Sequence, residues 1–131
     1  MTESQQLLVD TDVLIEYLRG SEQAIVFLES LERRPAISVI CVAEVLAGVR
    51  DETEQEAIEC FLQTFDILPV DDAAARLGGH YRRTYAKSHG TSLADALVAA
   101  TAVNNNLRLA TFNARHYPTP TALTPYPRDT Q

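Results

Sequence analysis

The sequence predicts an α/β protein in which helices cover both faces of a mainly parallel sheet. Four short apolar runs with the length and composition of strands are separated by segments whose apolar residues recur at helical spacing. These segments are long enough to cross back over a sheet, as neighbouring parallel strands require. Because functional side chains in such proteins gather beyond the carboxyl ends of the strands, the pattern also indicates where a site should lie.

The first third of the chain contains one predicted strand and two predicted helices. The strand is Leu7–Val9, and the helix that follows it ends at Gly20. Ser21 is a plausible N-cap for the second helix, which runs to about Leu31.

A second predicted strand, Ala36–Ile40, follows Pro35 and is almost entirely apolar, which is typical of a strand buried on both faces. Two helices are expected after it, from about Val42 to Val49 and from about Thr53 to Phe65.

The third predicted strand is Phe65–Val70, and Asp71 can cap a long helix that runs to about Ser88. Gly90 interrupts the helical pattern, which resumes over Leu93–Asn104. Leu107–Thr111 is the fourth predicted strand.

One domain covering residues 1–131 is the simplest organisation, with a core at about 7–117 and a Pro-rich tail at 118–131. The tail could contain one short edge strand near Ala122 to Thr124. No apolar run approaches the roughly 20 residues of a membrane span, and the polar N-terminus lacks the features of a secretion signal, so we expect a cytoplasmic protein. We expect Cys41 and Cys60, which lie within apolar segments, to be buried, reduced thiols.

Charge is distributed unevenly along this chain, whose net charge is −7. Residues 1–72 contain 16 Asp and Glu against four Arg, whereas residues 73–128 contain seven Lys and Arg and a single acid, Asp95. A net negative charge by itself argues against a nucleic-acid partner, but a basic half is typical of a polyanion-binding face. Solvated helix faces with unbalanced charge explain the same counts, so charge alone leaves both interpretations open.

Three acidic residues are predicted to lie near the same edge of the sheet. Asp10 follows the first strand, Glu44 lies in the first turn after the second strand, and Asp95 lies near the start of the last helix. Thr111 and Asn113 end the fourth strand at this edge. Each acid alone could be a helix cap or a favourable charge in a first helical turn. Glu44 and Asp95, however, lie among apolar and small residues, where a carboxylate is costly unless it is paired or binds a metal.

Carboxylates are the ligands that Mg²⁺ and Mn²⁺ prefer, since both are hard cations that bind oxygen. Such a cation neutralises the oxygens of a phosphodiester and lowers the pKa of its bound water, so no dedicated histidine base is needed. The three acids therefore have the chemistry of metal-dependent phosphodiester hydrolysis.

Four segments, in this order and at these distances, resemble the four motifs of the PIN-domain nucleases. They are LLVDTDVLIEYLRG, ISVICVAEVLAGV, SLADALVAATA and LRLATFNARHYP, and together they span about residues 7–117. The branch that they most resemble is the VapC-like toxins of toxin-antitoxin pairs. Four ordered motifs are far more specific than any one of them.

This resemblance implies an α/β/α sandwich, Mg²⁺- or Mn²⁺-dependent endoribonuclease activity, a homodimer and inhibition by a cognate antitoxin. It implies that Asp10 and Asp95 are the principal metal ligands and that Glu44 is a third acid, binding directly or through water. Thr11 and Asn113 would position that acid or the metal's water. We favour a helix-capping role for Asp12, which belongs to the first motif. Many PIN nucleases have a fourth acid in the last motif, where this sequence has only Asn113 and a histidine, so a firmly held second metal is not implied.

Cations alternate with aromatic residues over 80–89, immediately before the Asp95 motif. Tyr81 and Tyr85 share helical spacing with Leu77, so we expect them to pack inward. The cations would then remain outside and contact RNA or an acidic antitoxin segment. The candidates for this contact are Arg82, Arg83, Lys87, Arg115 and His116. For His116 the alternative is a hydrogen-bonded histidine at a loop edge.

Two other functions are compatible with parts of the sequence. A catalytically weak PIN-fold module would bind RNA or antitoxin without cutting. A haloacid-dehalogenase-like phosphatase would use Asp10 and Asp12, which match that family's acid pair after an apolar strand. The only lysine in the chain, Lys87, does not lie where that family needs one.

Overall fold

Five parallel strands form one sheet in the computed structural model, which describes residues 5–117 and 122–128. The strands are β1 (Leu7–Val9), β2 (Ala36–Ser38), β3 (Asp66–Leu68), β4 (Arg108–Ala110) and β5 (Ala122–Leu123). Their order across the sheet is β3-β2-β1-β4-β5, and every neighbouring pair is parallel. Since β1 lies at the centre, its carboxyl end is flanked by the ends of β2 and β4.

Six helices flank this sheet, so the predicted α/β/α sandwich is confirmed. They are α1 (Thr11–Leu18), α2 (Glu22–Glu29), α3 (Val39–Ala47), α4 (Glu52–Leu62), α5 (Asp72–His89) and α6 (Leu93–Asn104). The predicted caps Ser21 and Asp71 each accept a hydrogen bond from the backbone three residues further on. Gly90 ends α5 in the left-handed conformation, with φ of 65°, as expected of a helix-terminating glycine.

The boundary between β2 and α3 differs from its prediction by two residues at the strand end and by three at the helix start. The strand ends at Ser38 and the helix begins at Val39, whereas a strand to Ile40 and a helix from Val42 were expected. The Ser38 side chain accepts a hydrogen bond from the Ile40 backbone nitrogen at 3.0 Å and so caps the helix. The cap was not recognised in the sequence because Ser38 lies inside an otherwise apolar run. The strand before it and the helix after it both bury apolar side chains, so the pattern shows no break between them.

The predicted edge strand in the tail is confirmed as β5, which pairs with β4 over Ala122 and Leu123. Thr124 lies outside the strand. The remainder of the predicted Pro-rich tail, 118–121 and 129–131, lies outside the described residues.

The core consists of the central strands and the helix faces packed on them. Its fully buried large side chains include Leu8, Val9, Ile37 and Leu109 from the sheet and Val13, Leu14 and Val98 from the helices. Both cysteines are free, and Cys41 is buried as expected. The expectation that Cys60 is buried was wrong. The face of α4 that packs inward carries Ile58 and Leu62, and Cys60 lies on the exposed face.

Helices α5 and α6 pack closely against each other at Gly78. A Cβ atom at this position would lie 2.6 Å from Leu97 Cδ2 and 3.2 Å from Leu97 Cα, so any larger residue would require the Leu97 side chain to move and the helices to separate slightly. Tyr81 packs partly against the core, as predicted, and its ring contacts the half-buried Tyr85. In the described part of the chain, no helix has both the length and the apolar character needed to cross a membrane.

Candidate active site

Asp10 occupies the turn between the carboxyl end of β1 and the start of α1. Its Oδ1 accepts a hydrogen bond from the Thr11 backbone nitrogen at 2.8 Å, which makes it the N-cap of α1. Its Oδ2 accepts hydrogen bonds from Thr111 Oγ1 at 2.8 Å and from the Tyr117 hydroxyl at 2.7 Å. The side chain is buried, and the resulting loss of hydration raises the pKa of the Asp10 carboxyl.

Asp95 reaches the same place from the first turn of α6. Its carboxylate accepts a hydrogen bond from the Ser92 backbone nitrogen, and its backbone nitrogen donates one to the Ser92 hydroxyl. This reciprocal capping box fixes the start of the helix. The Asp95 Oδ1 atom lies 3.2 Å from the Tyr117 hydroxyl oxygen, on the side opposite the capping contact. The structure therefore brings together two of the three predicted acids, from elements 85 positions apart in the sequence.

Tyr117 joins these two carboxylates and was not identified by the sequence analysis. It follows a short 3-10 turn, Ala114–His116, and its side chain is only 4% exposed. Burial, together with the charges of Asp10 and Asp95, raises the pKa of the Tyr117 hydroxyl, which keeps its proton and acts as a donor. The one available signal was a polar aromatic residue at the end of the last motif, which has no periodicity to distinguish it from a core residue.

Glu44 lies on the exposed face of α3 and is connected to Asp10 through an intervening threonine. The Thr11 hydroxyl donates a hydrogen bond to Glu44 Oε1 at 2.7 Å. Thr11 itself directly follows Asp10 at the start of α1. The structure therefore connects the third predicted acid to the start of α1 through the predicted supporting residue Thr11 and shows no direct contact of Glu44 with Asp10 or Asp95 among the described residues.

The favoured helix-capping role of Asp12 was wrong, because Asp10 caps α1. Asp12 Oδ2 instead accepts hydrogen bonds from the Phe112 backbone nitrogen and from Asn113 Nδ2, both at 3.0 Å. The Asn113 side chain therefore contacts Asp12 and not Glu44, which it was expected to position. The Asp12 Oδ1 atom is buried and has no hydrogen-bond partner among the described residues. Burial and the nearby charge of Asp10 raise the pKa of Asp12 to about 6.

His116 and Arg115 form the rim of the site next to Asp95. His116 Nδ1 lies 3.8 Å from Asp95 Oδ2, and Arg115 Nε lies 3.3 Å from His116 Nε2. The histidine backbone oxygen also accepts a hydrogen bond from the buried Thr91 hydroxyl, which ties this turn to the loop before α6.

The remaining predicted contact residues lie on α5. Arg82, Arg83 and Lys87 are all exposed, and none of them forms an ion pair with another described residue. Arg83 contacts only the neighbouring His80 ring, at 3.4 Å. Arg76 on the same helix differs, since it pairs with Asp72 at 2.8 Å.

The donor atoms of this site suit a hard divalent cation. Carboxylate oxygens of Asp10 and Asp95 face one point, and Mg²⁺ is commonly held by one or two carboxylates with water completing its shell. Glu44 lies one side chain further away. Accordingly, residues 5–117 and 122–128 contain no group of three or more His, Cys, Asp or Glu side chains already placed to hold a metal. The candidate cation ligands at this point are therefore the two carboxylates of Asp10 and Asp95.

Comparisons with known proteins find relatives of this chain both in sequence and in fold. Ribonuclease VapC10 of Mycobacterium tuberculosis is 40% identical over 115 residues, which cover 86% of this chain and 86% of that protein. Ribonuclease VapC19 of the same organism is 39% identical over 115 residues, covering 85% and 91% of the two chains. A chain in a structure described as a toxin-antitoxin complex from Klebsiella pneumoniae matches with a TM-score of 0.80 at 30% identity, covering 92% of this chain and 98% of that one.

A family model described as PIN domain matches residues 7–120. This range contains strands β1 to β4, all six helices and every residue of the site. With the parallel sheet and the carboxylates beyond its central strand, this match shows that the chain belongs to the PIN-domain family.

Proposed function

We propose that this chain is a metal-dependent endoribonuclease and the toxin of a toxin-antitoxin pair. The observation that carries the proposal is the convergence of Asp10 and Asp95, from the end of β1 and the start of α6, on one buried hydroxyl. Two carboxylates at the carboxyl edge of a parallel sheet suit a cation that acts on phosphodiesters. The relatives' names and the toxin-antitoxin complex support the same activity and the same kind of partner.

Asp10 and Asp95 would hold Mg²⁺ or Mn²⁺, with Glu44 acting through water. When bound, the cation supplies a water of lowered pKa and neutralises charge on the phosphodiester oxygens. Thr11 orients Glu44, and Thr111 orients Asp10, so the acids are positioned before substrate arrives. The Asn113 side chain and the Phe112 backbone nitrogen both donate to Asp12 and hold its side chain in place. Preorganised donors and acceptors of this kind lower the free energy needed to reach the transition state.

Cleavage of RNA should require a divalent cation. We expect purified protein to cut members of a panel of tRNA, rRNA and mRNA fragments in Mg²⁺ or Mn²⁺, to stop in EDTA, and to resume when excess cation is added. An Asp10→Asn preparation, purified identically, controls for contaminating nuclease. Gel analysis of fragment ends measures the outcome.

Two results of the same assay would contradict the proposal. RNA that is bound but left intact in every buffer would favour the non-cutting PIN-fold module. Hydrolysis of a small phosphomonoester, with a phosphate transiently attached to Asp10, would favour the phosphatase.

The exposed cations of α5 are proposed to contact the RNA backbone. Arg82, Arg83 and Lys87 pair with no acid in the part of the chain that the structure describes, and the helix that carries them leads through Gly90 into the Asp95 segment. Arg115 and His116 lie on the rim of the site next to Asp95 and are the other candidates for this contact. Cations that neutralise phosphates release counterions, so this contact should weaken as salt concentration rises.

Reversing two of these charges should weaken RNA binding. We expect Arg82→Glu with Arg83→Glu to lower affinity by about tenfold or more and to reduce the slope of log affinity against log salt by about one. Arg76→Glu is the matched control, because its charge is already paired with Asp72 on the same helix. Fluorescence anisotropy with a labelled RNA, using catalytically inactive protein, measures both quantities. Unchanged RNA binding with weakened antitoxin binding would assign these cations to the antitoxin.

The antitoxin and homodimer that the sequence resemblance implies belong to this proposal. A groove of about 510 Å³ between α1, α3 and α4 has Glu44 in its lining and supports a protein partner at this face. Apolar Leu18, Val45 and Ile58 line it together with Arg50. A helix with an apolar face suits such a surface.

A further inference from the structure

A threonine side chain is buried in the short loop that joins α5 to α6. This loop consists of residues 90–92, since α5 ends at His89 and α6 begins at Leu93. Gly90 ends the first helix and Ser92 caps the second, whereas Thr91 has neither role. The Thr91 side chain is 1% exposed, although residues in such loops normally lie at the surface. Its burial therefore needs an explanation other than the turn itself.

The Thr91 hydroxyl contacts the 3-10 turn Ala114–His116. It donates a hydrogen bond to the His116 carbonyl oxygen at 2.5 Å, across 25 positions of sequence. A Cβ atom added at Gly90 would lie 4.0 Å from His116 Cδ2, so the loop also lies directly beside the histidine ring. A buried hydrogen bond therefore joins the loop before α6 to the turn that ends the candidate active site.

The residues next to this hydrogen bond belong to the candidate active site. Asp95 lies four positions after Thr91, in the first turn of α6, and its Oδ2 atom lies 3.8 Å from His116 Nδ1. Tyr117 directly follows the bonded carbonyl, and its hydroxyl oxygen lies 2.7 Å from Asp10 Oδ2 and 3.2 Å from Asp95 Oδ1. The Thr91 contact thus connects the turn before Tyr117 to the start of the helix that carries Asp95.

We propose that Thr91 is a positioning residue whose hydroxyl holds His116 and Tyr117 in place beside the Asp95 carboxylate. This inference rests on the proposed nuclease activity and adds a residue that acts on the site through its neighbours. Because the hydrogen bond is buried, it is stronger than the same bond in water, and its loss would leave a carbonyl oxygen without this donor. Misplacement of an active-site group by about 1 Å can lower a rate by about 100-fold.

Replacing the hydroxyl by a methyl group tests the proposal. Carbon–oxygen contacts are about 3.3–3.6 Å long, so Thr91→Val cannot keep the 2.5 Å contact with the His116 carbonyl. We expect Thr91→Val to lower kcat for RNA cleavage in saturating Mg²⁺ by about tenfold or more. KM should stay within about twofold, because the cations of α5 that are proposed to bind RNA are unchanged. Thr91→Ser keeps the hydroxyl and should restore most of the lost rate.

Thr101→Val is the matched control for this substitution. Thr101 is also a fully buried threonine, and its hydroxyl also donates to a backbone carbonyl, that of Leu97 within α6. The two valine variants should lose comparable stability in urea unfolding, but Thr101→Val should keep the wild-type kcat. Nuclear magnetic resonance in EDTA gives a second readout that needs neither cation nor RNA. Of the three histidine ring signals, that of His116 should move in Thr91→Val and stay in place in Thr101→Val.

Equal kcat values for Thr91→Val and Thr101→Val, or a His116 signal that stays in place in Thr91→Val, would overturn this inference and leave the proposed function intact. No RNA cleavage by wild-type protein would overturn both. If Thr91→Val does not fold, Thr91→Ala with Thr101→Ala as its control makes the same comparison, since alanine removes the hydroxyl without placing a methyl group against the carbonyl.

Discussion

Asp95→Asn should lose nearly all RNA cleavage while keeping the fold. The amide has the same shape as the carboxylate and can still accept the capping hydrogen bond from the Ser92 backbone, so α6 should begin at the same residue. It has no negative charge to hold a cation beside Asp10. Loss of an outer-shell partner alone costs about 10- to 100-fold in metal affinity or activity, so loss of a direct ligand should reduce the cleavage rate by about 100-fold or more.

Single-turnover cleavage in saturating Mg²⁺ measures this effect, and urea unfolding checks the fold. Asp72→Asn is a matched control, because Asp72 is also an acid in the first turn of a helix but lies on the exposed start of α5. It should cleave RNA at the wild-type rate. A wild-type rate for Asp95→Asn would remove Asp95 from the site.

In EDTA, the free energy of unfolding should fall as the pH rises from about 4 to about 7. Folding raises the pKa of Asp12 from 3.8 to about 6. Below pH 3.8 the carboxyl is protonated in both states and contributes nothing. Between these two pKa values the unfolded state releases its proton first, so stability decreases until the folded carboxyl also ionises. The full loss for Asp12 is up to about 3 kcal/mol above pH 6, and the raised pKa of Asp10 acts in the same direction.

Urea unfolding at several pH values measures this dependence. Asp12→Asn should flatten it and increase stability at pH 7, since an amide oxygen can still accept from Phe112 and Asn113 without carrying a buried charge. The same pH dependence in Asp12→Asn as in wild type would show that Asp12 is not responsible.

The ends of β1 and β4 could be predicted from the sequence to within one residue, because each coincides with a change from apolar to polar residues. Asp10 and Thr111 follow buried runs directly, and the rule that sites lie beyond the carboxyl ends of parallel strands then locates both. Leu93–Asn104 was predicted exactly, since Ser92 and Asn105 bound an apolar segment. The start of α3 was not, because its cap, Ser38, lies inside an apolar run.

The side-chain contacts within the site could not be predicted, because they depend on distances across the fold. Tyr117 and Asp10 lie 107 positions apart, and periodicity says nothing about which buried hydroxyl meets which carboxylate. Asp12 illustrates the same limit: its position after a strand suits a helix cap, and only the approach of Phe112 and Asn113 reveals its different role. The charge counts did locate exposed cations on α5, which form no ion pair with another described residue, but the counts fit a polyanion-binding face and a solvated helix face equally.

The close approach of α5 and α6 at Gly78 places a residue without a side chain beside the helix turn that follows Asp95. Leu97, which meets Gly78, lies two positions after Asp95 on the same helix. A Cβ at position 78 would force the Leu97 side chain into another conformation and the two helix backbones apart by a few tenths of an ångström. The fit of the helix that carries one of the two acids therefore depends in part on the absence of one carbon atom on a neighbouring helix.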